Sequence, residues 1–355
     1  MNCSDILAVN RTGNWSNLTN CDDAIIPHKG CLDASRVVHI ITHSIIIQLV
    51  IACNSFILVR LKPFEAQRRT NIEVLILYLS VFDMMSSVML IVDVYENVTC
   101  FKKWPLGLFG CKIIYPLYAI SLNMSVCILI IMSVDRCRSI VTPLKKKFSQ
   151  MSIHIAVMLS FLAVVILQWH QFQAQVLIGQ SCNLLRSKKT FSITRVVITI
   201  VRDNTFIFVF TVTSVLIYKS LKSNVLFLGS GERKKKETHR VVAMLILMEL
   251  VFTVLVVPYD VYDCAMYISR MWGGPGIKFT RTIQHVDRIL SALQMSNSFA
   301  NCFIYAKMHQ YLRVRSTSTS TINISEYNNG RRETKQEVMW TNPAYNPDGE
   351  FTLQT

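Results

Sequence analysis

Asp83, Ser125, Asn297, Ser298 and Asn301 each lie inside an apolar run long enough to span a bilayer. A carboxylate is costly in hydrocarbon, so residues of this kind face the interior of a helix bundle and mark a functional site. The chemistry they offer is hydrogen bonding around one buried carboxylate. Asp135 and Arg136 form an ion pair at the inner end of the third apolar run. In the outer half, Asp93 and Glu96 share a helix face at i, i+3, as do Asp260 and Asp263. Asp203 and Asp287 fall at comparable depth beside Arg202 and Arg288. These outer charges have two readings: internal salt bridges that fix the bundle, or a pocket, acidic on balance, for a ligand with a cationic group. His39 and His43 share a face at i, i+4 and read as packing or lipid contacts rather than a metal site.

The elements that must position these groups are long apolar helices. Of the 355 residues, 51% are hydrophobic and 17% charged, against about 25% charged in a soluble domain. Mean hydropathy is +0.36. Seven apolar stretches of about 20 or more residues run near Val37–Leu61, Ile72–Val94, Leu108–Val134, Ile153–Ile178, Ile193–Leu221, Val241–Ile268 and Ile283–Ala306. The expected fold is an all-α membrane protein, a bundle of seven transmembrane helices over residues 35–315. Residues 1–34 and 316–355 form polar tails.

The net charge of +15 does not indicate nucleic acid, because the basic residues cluster in alternate loops. Arg60, Arg68, Arg69, Lys145 to Lys147, Arg233 to Lys236 and Arg313 all fall on one side of the seven spans. The positive-inside rule makes that side cytoplasmic and the N-terminus extracellular. Sequons at Asn2, Asn10, Asn14 and Asn17, with another at Asn97, agree with an outside, glycosylated N-terminal tail. No basic n-region with a short apolar h-region opens the chain, so the first span is expected to insert as its own anchor. Cys3, Cys21, Cys31, Cys100, Cys111 and Cys182 fall outside, where disulfides form. Cys53, Cys127, Cys137 and Cys302 fall in or below the membrane and are expected to be free thiols.

The order and depth of several motifs resemble the rhodopsin-like G-protein-coupled receptors from about Ala34 to Arg315. Asn54 stands in the first helix, Leu79-Ser80-Val81-Phe82-Asp83 in the second, and Trp104-Pro105-Leu106-Gly107 before Cys111. Asp135-Arg136-Cys137 closes the third helix, with Pro143-Leu144 after it, and the seventh carries Asn297-Ser298-Phe299-Ala300-Asn301-Cys302-Phe303-Ile304-Tyr305. Cys111 and Arg136 are 25 residues apart, about 37 Å of helix, so they lie at opposite membrane faces. The resemblance implies a Cys111–Cys182 disulfide. It also implies a short amphipathic helix after the seventh span and a sodium ion held by Asp83, Ser125, Asn297, Ser298 and Asn301. Asp135, Arg136, Tyr218, Asn301 and Tyr305 would serve G-protein coupling.

The pattern is altered at the ligand-sensing end. Phe210 replaces a helix 5 proline, Val256 a helix 6 tryptophan and Cys302 the helix 7 proline, which leaves helices 5 and 7 straighter. Tyr118 stands where receptors for biogenic amines carry an aspartate, and no helix 7 lysine is available for a retinal Schiff base. The ligand-binding set is therefore Asp93, Glu96, Tyr118, Arg202, Asp203, Asp260, Asp263 and Asp287. A peptide bearing a cationic group fits it, and the Trp104 loop resembles that of peptide receptors.

After Arg315 the chain turns polar. The run Ser316 to Thr321 resembles a receptor-kinase substrate that recruits arrestin. Asn342, Pro343 and Tyr345 have the form of an NPxY signal read by endocytic adaptors. The reading is a plasma-membrane receptor that binds an extracellular ligand and activates a heterotrimeric G protein. A constitutively active or scavenging seven-helix protein is the alternative. No nucleophile–base constellation points to an enzyme, and no internal repeat or broken helix points to a transporter.

Overall fold

The structure is a computed structural model that describes residues 33–61, 70–100, 104–142, 146–178, 181–184, 189–227, 243, 246–271 and 282–304. Helix α1 (Ala34–Arg60) starts at Asp33, whose side chain caps it by accepting from the Arg36 N–H at 2.9 Å. That bond holds the Asp33 carboxyl below its ordinary value. Helix α2 (Asn71–Val98) opens with a reciprocal capping box between Thr70 and Glu73. Helix α3 (Gly107–Val141) is entered through Gly107 at φ 59°, a left-handed conformation that glycine adopts without a Cβ penalty. Helix α4 (Gln150–Ala174) is capped by Ser149, and α5 (Lys189–Phe227) follows a two-stranded hairpin.

Helix α6 covers 246–255 and, after a break at Val256, Val257–Met271, while α7 covers 282–304. The break lies two residues before Pro258, whose ring nitrogen has no hydrogen to donate to the preceding turn. α5 and α7 run through Phe210 and Cys302 without a break, as expected from their missing prolines. Among the described residues, α1 to α5 each contain a window long and apolar enough to cross a membrane.

The bundle buries polar groups among its apolar core and exposes many large apolar side chains. α1 buries His39, His43 and Asn54 while exposing Val38, Ile41, Ile45 and Val59. An arrangement of that kind is favoured only when the surrounding solvent is hydrocarbon. α3 is central and packs against α2, α4 and α5. In the middle of the bundle Phe206, Phe210 and Phe252 are fully buried, with ring centroids 4.3 Å apart for Phe206–Phe210 and 3.9 Å for Phe206–Phe252. Phe210, the residue that replaces the usual proline, thus fills core space.

One element differs from the hydropathy reading. The fourth apolar stretch continues to Ile178, but α4 ends at Ala174 and Gln175 turns extended at φ −80°, ψ 127°. The chain then forms β1 (Gln175–Ile178) and β2 (Ser181–Leu184), antiparallel with Leu177 opposite Cys182. An apolar run cannot by itself distinguish helix from a covered hairpin. The N-terminal sequons, Cys3, Cys21, Cys31, Tyr305, the helix expected after α7, the Ser316 to Thr321 run and the Asn342–Tyr345 motif lie outside the described residues.

Candidate functional site

Polar groups occupy the bundle interior at mid-depth, at the inner end and in the outer half. At mid-depth, Asp83 of α2 is 1% exposed. Its Oδ1 accepts from Ser125 Oγ of α3 at 2.8 Å and from Ser298 Oγ of α7 at 3.0 Å. Three helices therefore converge on one carboxylate, and the sequence predicted all three residues. Asp83 Oδ2 is buried without a hydrogen-bond partner. Asn301 is turned toward the same carboxylate, and its Nδ2 is also buried without a partner. Asn297 is buried one turn earlier on α7. A carboxylate and two hydroxyls, with the Asn301 amide beside them, supply hard oxygen donors of the kind that could hold a small cation.

At the inner end of α3, Asp135 is 2% exposed and accepts from Arg136 Nη2 at 2.7 Å. Asn71 Nδ2, at the start of α2, donates to Asp135 Oδ1 at 2.9 Å and to the Phe148 carbonyl at 3.0 Å. Asn71 was not singled out from sequence; its position one residue inside the α2 capping box was the available signal. Ser133 and Thr213 join α3 to α5 by a 2.6 Å hydroxyl bond just above. Tyr218, on α5, is 59% exposed.

At the opposite membrane face, Cys111 of α3 is bonded to Cys182 of β2, with Cα atoms 5.5 Å apart. The expected disulfide is present and ties the hairpin to α3. A profile of the 7 transmembrane receptor (rhodopsin family) matches residues 53–305. The chain belongs to that family. It is thus a G-protein-coupled receptor by family, with the multi-pass helical fold expected of one. No curated protein matches the chain.

A second bond in the receptor corrects an expectation. Cys53 of α1 and Cys302 of α7 form a disulfide, with Cα atoms 6.2 Å apart, rather than two free thiols. Depth was read correctly, but the helix rotations that turn the two sulfurs toward one another are not visible in one-dimensional sequence. Cys302 also occupies the place of the helix 7 proline, so α7 exchanges a kink for a covalent tie to α1. Cys100 is also disulfide-bonded, while Cys127, Cys137 and Cys264 are free.

The outer charges are largely engaged with one another. Arg202 of α5 binds Asp203 at 2.8 Å and makes a very short contact to Asp260 of α6. Asp260 Oδ1 also accepts from Gln294 Nε2 of α7 at 3.1 Å. Arg195, which the sequence reading missed, pairs with Asp263 at 3.4 Å. Glu96 is 3% exposed and accepts from the Tyr115 hydroxyl. Asp93 faces His39 at 3.5 Å. Arg288 reaches Asp33 at 3.5 Å and bonds the Ser35 hydroxyl. Asp287 is half-buried beside it and has an interaction of its own. Asp203 and Asp260 thus share Arg202, Asp263 has Arg195, and Asp93 and Glu96 face a histidine and a tyrosine hydroxyl.

Two aromatic side chains are likewise occupied. Tyr118 packs against the cluster of Ile47, Leu90 and Met295, and Trp104 is 5% exposed and stacked on Tyr115 at 5.9 Å. The Trp104 Nε1–H donates to the Gly107 carbonyl at 2.8 Å, so this residue shapes the entry to α3. Asn97 lies in the last turn of α2, 6% exposed, with Nδ2 donating to the Asp93 carbonyl at 2.9 Å. A glycan on that nitrogen would have to displace the bond and expose the residue.

Proposed function

We propose that this receptor sits in the plasma membrane with its N-terminus outside, binds an extracellular ligand and activates a heterotrimeric G protein. The observation that carries the proposal is the Arg136–Asp135–Asn71 arrangement at the inner end of α3. It holds a guanidinium ready to be released when the inner ends of the helices part. The internal pairing of Asp260 and Asp203 leaves Asp93 and Asp263 as the more open outer carboxylates, with side chains 31% and 18% exposed. A peptide with a cationic group would contact those two first. Asp83, Ser125, Ser298 and Asn301, with Asn297 behind them, would hold a sodium ion that favours the resting state. The Ser316 to Thr321 run would take phosphates for arrestin, and Asn342, Pro343 and Tyr345 would meet an endocytic adaptor. Asn2, Asn10, Asn14 and Asn17 would carry glycans.

Replacing Arg136 with Ala tests the central point. Surface expression should hold while G-protein turnover, basal or evoked by a panel of basic and amidated peptides, disappears. Undiminished turnover in that variant would remove the basis of the proposal. A second reading, a seven-helix protein active or scavenging without a classical agonist, is favoured by the Cys53–Cys302 tie and by Val256 in place of tryptophan. High basal turnover that no peptide alters would decide for it.

A further inference from the structure

His39, His43 and Asp93 form a cluster that the helix-face pattern alone did not distinguish from packing. The two imidazoles lie on α1 with ring centroids 3.8 Å apart, and Asp93 comes from α2. His43 is fully buried and His39 is 9% exposed. One donor atom from each of the three residues lies within 4.8 Å of the others. His39 Nε2 is 3.5 Å from Asp93 Oδ2. Two ligands about 2.0–2.1 Å from a tetrahedral zinc are about 3.4 Å apart, so this separation is already that of a coordination edge.

The tautomer of His43 also suits a ligand. Its Nδ1 lies 3.0 Å from the His39 carbonyl, a bond that places the proton on Nδ1 and leaves Nε2 unprotonated, with only the Ser291 hydroxyl beside it at 3.4 Å. Both histidines also line a cavity of about 550 Å³ between α1 and α7, bounded by Ser35, His285, Arg288 and Ser296. That cavity offers an approach for an ion and room for a water as the fourth ligand.

We infer that His39, His43 and Asp93 form a binding site for a divalent transition-metal ion of the zinc class, clamping α1 to α2 in the outer half of the bundle. Two neutral imidazoles and one carboxylate suit zinc and its neighbours rather than calcium or magnesium, which prefer all-oxygen sites. The carboxylate supplies charge to the buried ion, and the fourth position stays open toward the cavity.

The test uses the full chain, reconstituted in lipid nanodiscs and stripped with chelator, with zinc chloride or cobalt chloride as the only added ligand. One equivalent of zinc should bind by calorimetry, and cobalt should give the d–d absorption of a low-coordinate nitrogen and oxygen site. The His39→Gln/His43→Gln double variant should lose this binding, and Asp93→Asn should weaken it at least tenfold. No saturable binding by the parent, or binding unchanged in the double variant, overturns the site. If the double variant does not fold, Ser291→Cys decides. Ser291 Oγ is 3.4 Å from His43 Nε2, so a near-isosteric thiolate there should tighten zinc at least tenfold. Unchanged affinity in that variant overturns the site as well.

Discussion

Replacing Arg202 with Met would test whether the outer charges hold the bundle together or wait for a ligand. Arg202 is 15% exposed in its side chain and lies against Asp260 and Asp203, whose side chains are 5% and 13% exposed. Met keeps the unbranched apolar stem of the side chain and removes the charge. Two carboxylates would then remain buried with one neutral donor in view, Gln294 on Asp260 at 3.1 Å. Breaking a buried pair by removing one partner costs about 3–5 kcal/mol, because the charge left behind is uncompensated. At about 2–4 °C per kcal/mol, the purified receptor without ligand should melt about 6–20 °C lower. Asp260→Asn should cost less, about 1.5–3 kcal/mol, since Arg202 retains Asp203 at 2.8 Å. The triple variant Arg202→Met/Asp203→Asn/Asp260→Leu should recover most of the loss, because apolar replacement of a whole buried ion set is close to neutral. Scanning fluorimetry of the four proteins reads all of this. A single variant within 2 °C of the parent, or a triple variant no more stable than the single, would refute internal pairing. Loss of peptide binding in Asp260→Asn with unchanged melting would instead assign that carboxylate to the ligand.

Asp83→Asn should abolish any stabilisation of the receptor by sodium over choline, measured as melting temperature at equal ionic strength; a sodium effect that survives places the ion elsewhere. Phe206→Ala should destabilise the receptor by about 3–5 kcal/mol, because a fully buried ring packed against Phe210 and Phe252 leaves a cavity that its neighbours cannot close. Melting within 1 °C of the parent would show that this cluster collapses around the gap. Cys53 and Cys302 should resist alkylation in membranes until a reductant is added, read by mass spectrometry of the tryptic peptides. Labelling of either thiol without reductant contradicts the α1–α7 tie.

The sequence determined whatever depends on position along a helix. Apolar length set the spans, and the rise of 1.5 Å per residue set the depth of Asp83, Ser125 and Ser298. Those three meet in the structure because buried polar groups in hydrocarbon have few alternatives but one another. The Cys111–Cys182 bond was legible for a similar reason, as part of a motif whose order and spacing are carried along the chain. Tertiary structure decided what depends on the rotation of one helix against another. That angle made a disulfide of Cys53 and Cys302 and gave Asp263 to Arg195. It also brought Asp93 to the His39–His43 pair, turning a helix-face pattern into a three-residue cluster. Hydropathy fixes how deep a residue lies but is nearly indifferent to rotation about the helix axis. The facing of residues is set by side-chain packing among helices distant in sequence, which no local pattern records.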